Sequence, residues 1–350
     1  MALLSTMILL LAVTTALATI FYRHQLTTGL AAHALHSDSA VLLALSAESW
    51  VGDLLSSAQD DREVDSLEES WAQPLPALPL EGGELRGCLR DLQGRINLNN
   101  FAELSAIDGA PLATAWLQLL GSTATELGEL GQPREQLAAL IDWLDSDDQP
   151  LVGGREYYPY ENDQPERWPA NRPVSDVAEL AAIEGYSVVL VAALQRYSAA
   201  LPTATAVNIN TASRALLAAL GSANRGDNRW DGEQFADWVE AARPFQSTTE
   251  FQRRLATASD DSQTAVASRW PATLLSVNSD YFELIALITL GDAAVEYRAL
   301  LDRRGRERPV VVARTLSSVP AIASPASDEQ RERQRRALAA PCQTSQERVL

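Results

Sequence analysis

The stretch Asp142-Trp143-Leu144-Asp145-Ser146-Asp147-Asp148 places four carboxylates in seven residues. Glu156, Glu161 and Asp163 follow within eighteen residues of Asp145. Hard oxygen donors at that density suit Ca²⁺, which takes six to eight oxygens at about 2.3–2.6 Å. Asp145, Asp147 and Glu156 stand at positions 1, 3 and 12 of an EF-hand spacing. Gln149 and Pro150 then fall at positions 5 and 6, where that loop takes Asp or Asn as its third ligand and requires a glycine, so the motif fails. Taken alone, a solvated acidic loop is the simpler reading, and an irregular loop organised by a cation is the alternative.

Other reactive residues are sparse. The three histidines, His24, His33 and His36, all lie near the N-terminus, so a Ser-His-Asp or Cys-His arrangement in the remainder of the chain has no base. A two-carboxylate hydrolase stays open as an alternative, but nothing singles out a pair. The two cysteines, Cys88 and Cys342, form no metal pattern; a single disulfide between them would need an oxidising compartment. The 350 residues carry a formal charge of −18, and every basic residue other than histidine is arginine. So acidic a chain is a poor electrostatic partner for nucleic acid.

The elements that must position these residues begin with an uncharged run, residues 1–22, long enough to span a bilayer core of roughly 30 Å. Its first charge is Arg23, with no basic flank ahead of it. Ala16-Leu17-Ala18 would fit a signal-peptide cleavage site, but the basic n-region of such a peptide is missing. Helical spacing continues through Leu43, Ala47, Trp50, Val51 and Leu54, which predicts one helix from near Ala2 to near Ala58. An acidic, Pro-rich linker follows.

Strand character is predicted over 83–100, with a turn at 91–94. Helices are predicted over 102–144, from 174, after an Asn210-Thr211 cap ending at Gly221, and from 231. Three antiparallel strands are expected between 280 and 316. The pattern gives an α+β fold: a long N-terminal helix on a small antiparallel sheet, with a large all-helical insertion. The expected divisions are an assembly helix 1–59, a linker with first strands 60–101, and an inserted helical domain 102–270. That insertion has subdomains at about 102–202 and 206–270 and an acidic loop at 145–173. Returning strands 271–316 and a disordered tail 317–350 complete the chain.

An ordered set of segments resembles the K-type minor pseudopilins (GspK) of the bacterial type II secretion system. The segments are MALLSTMILLLAV at the N-terminus, DLQGRINLNN, IDWLDSDDQP with GGREYY, VSDVAEL, VNINTASRALLAAL and VNSDYFEL. The likeness runs from Met1 to about Thr315. It implies that Met1 is a processed, methylated terminus left by a prepilin peptidase, and that a basic leader preceded it. It also implies a head in the periplasm, a single-pass anchor in the inner membrane of a Gram-negative bacterium, and assembly with I- and J-type minor pseudopilins at the pseudopilus tip.

Most pilin-like proteins carry Glu at the fifth mature position. Here that residue is Ser5, and no acidic residue precedes Asp38. A tip subunit has no neighbour above it whose buried ammonium needs a carboxylate. The family also binds calcium in the acidic loop, which makes Asp145, Asp147, Glu156, Glu161 and Asp163 the expected structural ligands. Arg155 stands where the family has an acidic residue, so one ligand differs. The expected partner surface is the helix flank of Leu43, Trp50 and Leu54. VNINTASRALLAAL also resembles the first helix of a helix-hairpin-helix module. The Lys of that module is absent, and Asn208 and Asn210 are expected to cap and orient the helix.

Overall fold

The computed structural model describes residues 2–57, 63–73, 77–103, 110–154, 156, 169–224, 230–291, 293–305 and 308–319. The chain opens with α1 (Ala2–Ser57), about 84 Å long at 1.5 Å per residue. A helical turn at Ser70–Ala72 leads to β1 (Leu78–Leu80) and β2 (Gly83–Asp91). The insertion starts with β3 (Ile96–Asn97) and α2 (Asn100–Glu103), then α3 (Ala110–Leu127) and α4 (Pro133–Leu144). A 3-10 turn at Val177–Ala182, α5 (Val188–Leu194) and β4 (Ser198–Ala199) follow. Its second half holds β5 (Val207–Asn208), α6 (Arg214–Ala223), α7 (Gly232–Ala242), α8 (Thr248–Ser259), α9 (Gln263–Arg269) and β6 (Leu275–Ser276). The chain returns through β7 (Tyr281–Leu290), β8 (Ala293–Asp302) and β9 (Val310–Val319).

The main sheet has the order β1-β2-β7-β8-β9 and is antiparallel throughout. The strand preceding the insertion therefore pairs directly with the strand that ends it: Glu84 faces Thr289 and Asp91 faces Phe282. One sheet face carries Leu85, Leu89, Phe282, Leu284, Ile288, Val295 and Tyr297. Ala40, Ala44, Val51 and Leu55 of α1 bury against it. Alternation of apolar and polar residues fixes that face, since neighbouring strand residues point to opposite sides. The insertion buries a separate core around Trp116, Leu120, Leu140, Phe235 and Phe251.

The α+β architecture agrees with the pattern read from the sequence. Several local expectations do not hold. The extended segment stops at Asp91, and 95–100 enters the insertion as a two-residue parallel bridge and a helical turn. The cap of α6 is Ser213, whose hydroxyl accepts from Leu216 N, and not Asn210-Thr211. Gly221 does not end α6. The helix runs to Ala223, and a Cβ at Gly221 would lie 2.7 Å from the Phe235 ring, so this glycine lets α6 and α7 pack closely. The last strand extends to Val319, and most of the expected tail lies outside the described residues. α9 and the two-residue bridges had no expectation.

Candidate functional site

α1 divides into two unlike halves. From Leu3 to Leu35 its large apolar side chains are exposed, and this half is long and apolar enough to cross a membrane. From Ala40 onward one face is fully buried on the sheet. Small alanines at 40 and 44 let the helix approach the strands, and two charged pairs hold its sides. Glu48 accepts two hydrogen bonds from Arg314 of β9, at 2.7 and 2.9 Å, and Asp53 pairs with Arg308 at 2.6 Å.

The flank expected to meet partners is split by this packing. Trp50 is 47% exposed, whereas Leu43 and Leu54 are half-buried against the sheet core. Ser5 is exposed on the second turn of α1, and Met1 lies outside the described residues. His36 is half-buried beside the β7–β8 turn at Gly291.

The acidic loop grows from the end of α4. Asp142, on its last turn, is fully buried and accepts from Leu151 N at 3.1 Å, which folds the loop back over the helix. Gly154 closes that fold, because a Cβ there would lie 1.9 Å from Asp142 Oδ2. Asp147 accepts from Gln149 N at 2.8 Å, and Asn171 donates to Asp148 Oδ1 at 3.0 Å. Glu156 is only 8% exposed. Burial, reinforced by Asp142, Asp145, Asp148 and Asp147, pushes its carboxyl up to about 7. Burial and the charges of Asp147 and Asp142 also raise Asp145.

The buried oxygens Asp145 Oδ1, Glu156 Oε1 and Asn171 Oδ1 have no hydrogen-bond donor among the described residues. Mutually repelling carboxylates with orphaned oxygens fit a hard cation. Among the described residues, no three His, Cys, Asp or Glu side chains form a closed metal-ligand set. Glu161 and Asp163 lie outside them. The structure thus brings Asp145 together with Glu156 and places Asp147 beside them. It adds Asp142, Asp148 and Asn171, which the expected set omitted.

A second buried polar cluster joins the insertion to the sheet, and the sequence reading missed it. Asp65 forms a buried ion pair with Arg303, which lies just past β8, and accepts from Ser279 N. Asp91, at the end of β2, accepts from the Thr211 and Ser279 hydroxyls, from Gln93 N and from Asn208 Nδ2. Burial outweighs these donors and pushes the Asp91 carboxyl up to about 6.

Asn208 and Asn210 are ties rather than caps. Asn210 grips both backbone groups of Phe245, accepting from its N–H at 2.8 Å and donating to its carbonyl at 3.0 Å. Asn99 grips Val174 in the same way, at 2.9 Å in both directions. Asn97 and Asn208 each accept from the backbone N–H two residues on. β3 and β5 each form a two-residue parallel bridge, with β4 and β6. The two halves of the insertion therefore start on one device. Its signal was the recurrence of an apolar-Asn-apolar-Asn pattern at 96–99 and 207–210.

This arrangement can be set beside known proteins. Residues 94–203 match a family model for the first domain of type II secretion system (T2SS) protein K. Type II secretion system protein K of Pseudomonas aeruginosa is 30% identical over 323 residues, covering 90% of this chain and 92% of that protein. The chain belongs to the type II secretion system protein K family. It is a minor pseudopilin of that system. Protein K of Klebsiella pneumoniae is 32% identical over 279 residues, covering 77% of this chain and 81% of its own. In fold, the K-type chain resembles one from the crystal structure of the GspK–GspI–GspJ complex of enterotoxigenic Escherichia coli. That match has a TM-score of 0.68 at 22% identity and covers 81% of this chain and 97% of the other. Neither the hydrolase nor the nucleic-acid alternative gains support from these relatives.

Proposed function

We propose that this K-type pseudopilin sits at the tip of the pseudopilus, where it starts or caps the fibre together with I- and J-type minor pseudopilins. The observation that carries this reading is the division of α1: an exposed half, uncharged through Tyr22, followed by a half packed on the sheet. An apolar helix left bare over more than thirty residues needs lipid or other helices around it. The absence of any carboxylate before Asp38 suits a subunit with none above it. The solved relative was crystallised as a complex of K, I and J subunits.

In this reading the anchor lies in the inner membrane, the head works in the periplasm, and the protein is a structural subunit rather than an enzyme. Prepilin peptidase cleavage and N-methylation belong to the same proposal, and mass spectrometry of the membrane form tests them. The partner surface is the exposed flank at Trp50, edged by Leu43 and Leu54. Co-purification of the full-length chain with I- and J-type partners tests it. Trp50→Asp should reduce recovery of the ternary complex while leaving the melting temperature of the head unchanged. Unchanged recovery would overturn the assignment of that flank.

The acidic loop is proposed to hold calcium through Asp145, Asp147 and Glu156, with Glu161 and Asp163 as further candidates. Asp142, Asp148 and Asn171 line the same loop. The ion would neutralise the clustered charge and stiffen the loop.

A further inference from the structure

The second half of the insertion holds an open pocket of about 300 Å³, lined by Trp238, Arg253, Arg254, Thr257 and Ala258. The last four lie on one side of α8, because positions one turn apart stack along a helix. Trp238 comes from α7. Its indole belongs to an aromatic cluster, with ring centres 5.7 Å from Trp230 and Phe245 and 6.0 Å from Phe251. The cluster fixes the ring, yet Trp238 stays half-buried.

The two arginines differ. Arg254 is engaged: it pairs with Glu250 at 3.5 Å and lies 5.0 Å from the centre of the Phe245 ring. Arg253 is exposed, and among the described residues its guanidinium has no hydrogen-bond or ion-pair partner. The same holds for the indole N–H of Trp238. Among the described residues the lining contains no carboxylate and no amide, although the chain carries a net charge of −18. Guanidinium and indole N–H groups can only donate. A complementary ligand must therefore accept hydrogen bonds and also present an apolar flank to Trp238.

We propose that this pocket binds a carboxylate carried beside an aromatic or aliphatic side chain on another protein chain. Arg253 donates to the carboxylate, and Trp238 supplies the apolar wall. The volume is at the low end of ligand pockets, which run from roughly 300 to 1,000 Å³, and suits one side chain with its acid group. A sugar fits less well. Its hydroxyls bring donors, and Thr257 offers the one side-chain acceptor among the described lining residues. Trp and Arg are also the residue types that most often dominate binding between proteins. The site goes beyond the tip assignment: it lies on α7 and α8, whereas the Trp50 flank is on α1 and the acidic loop follows α4.

The test uses the full-length chain in detergent, labelled with fluorotryptophan and read by fluorine NMR. Trp238→Phe identifies the Trp238 resonance. The probe is phenylpropionate, with neutral phenylpropanamide and glucuronate as comparisons. Phenylpropionate should shift the Trp238 resonance saturably. The amide should bind at least about tenfold more weakly, because it loses the charge-assisted hydrogen bonds. Arg253→Gln should weaken binding of the acid by a similar factor and leave the melting temperature unchanged. No saturable shift, equal binding of acid and amide, or unchanged affinity in Arg253→Gln would overturn the proposal. Tighter binding of glucuronate than of phenylpropionate would overturn the protein source in favour of a saccharide.

Discussion

Asp91 shows how a single carboxyl can weight the junction between sheet and insertion. Its carboxyl is raised from an ordinary 3.8 to about 6, so between those values the folded chain holds this proton more tightly than the unfolded one. The contribution is therefore fully present below about pH 4 and is lost as the pH rises to about 6. At 1.36 kcal/mol per unit the loss is on the order of 3 kcal/mol. Asp91→Asn cannot titrate. Denaturant unfolding across this range should show wild type losing stability relative to the variant as the pH rises, and parallel curves would refute the account. The acidic loop gives a second test. With calcium at a hundredfold excess over Kd, a chelator should remove about 3 kcal/mol of stability from wild type. It should remove little from Asp145→Ala or Glu156→Gln. Differential scanning calorimetry reads both, and a chelator without effect on wild type would remove calcium from the proposal.

Elements show which features the sequence carried and which it hid. α1 was legible almost to the residue, because a long uncharged run followed by helical spacing has few other readings. The paired strands 281–290 and 293–302 were legible from their period of two. The segment 95–100 was misread because Asn97, Asn99 and Asn100 use their side chains to replace backbone partners, a device that periodicity does not register. Gly221 was misread because a glycine serves as well for close helix packing as for a helix stop. Gly221→Ala should therefore destabilise the head by roughly 1–3 kcal/mol, as overpacking does, and not lengthen α6 harmlessly. Thermal melting of the variant checks this. The acidic loop was visible as a density of carboxylates. Asn171 was not visible as part of it, since it lies 23 residues from Asp148 in sequence.

At the scale of the molecule, the insertion leaves the sheet at Asp91 and returns at Tyr281, so both crossings pass the same buried cluster of Asp65, Asp91, Asn208, Ser279 and Arg303. Breaking the Asn210 tie removes two backbone hydrogen bonds to Phe245 and strands buried groups. Asn210→Ala should cost about 2–4 kcal/mol. Hydrogen exchange should show opening in the second half of the insertion, with the strands under α1 still protected. The molecule then divides its labour. In the proposed reading, one sheet face and the sides of α1 build the assembly unit, the insertion is joined at the Asp91–Tyr281 end of the sheet, and the bare half of α1 enters lipid or fibre. The most direct test is a photo-crosslinking residue at position 50 of the full-length chain, expressed in membranes with its I- and J-type partners. The account predicts a crosslink to one of those two subunits, lost when that subunit is omitted. A complex that forms without any crosslink from position 50, or no complex at all, would contradict it.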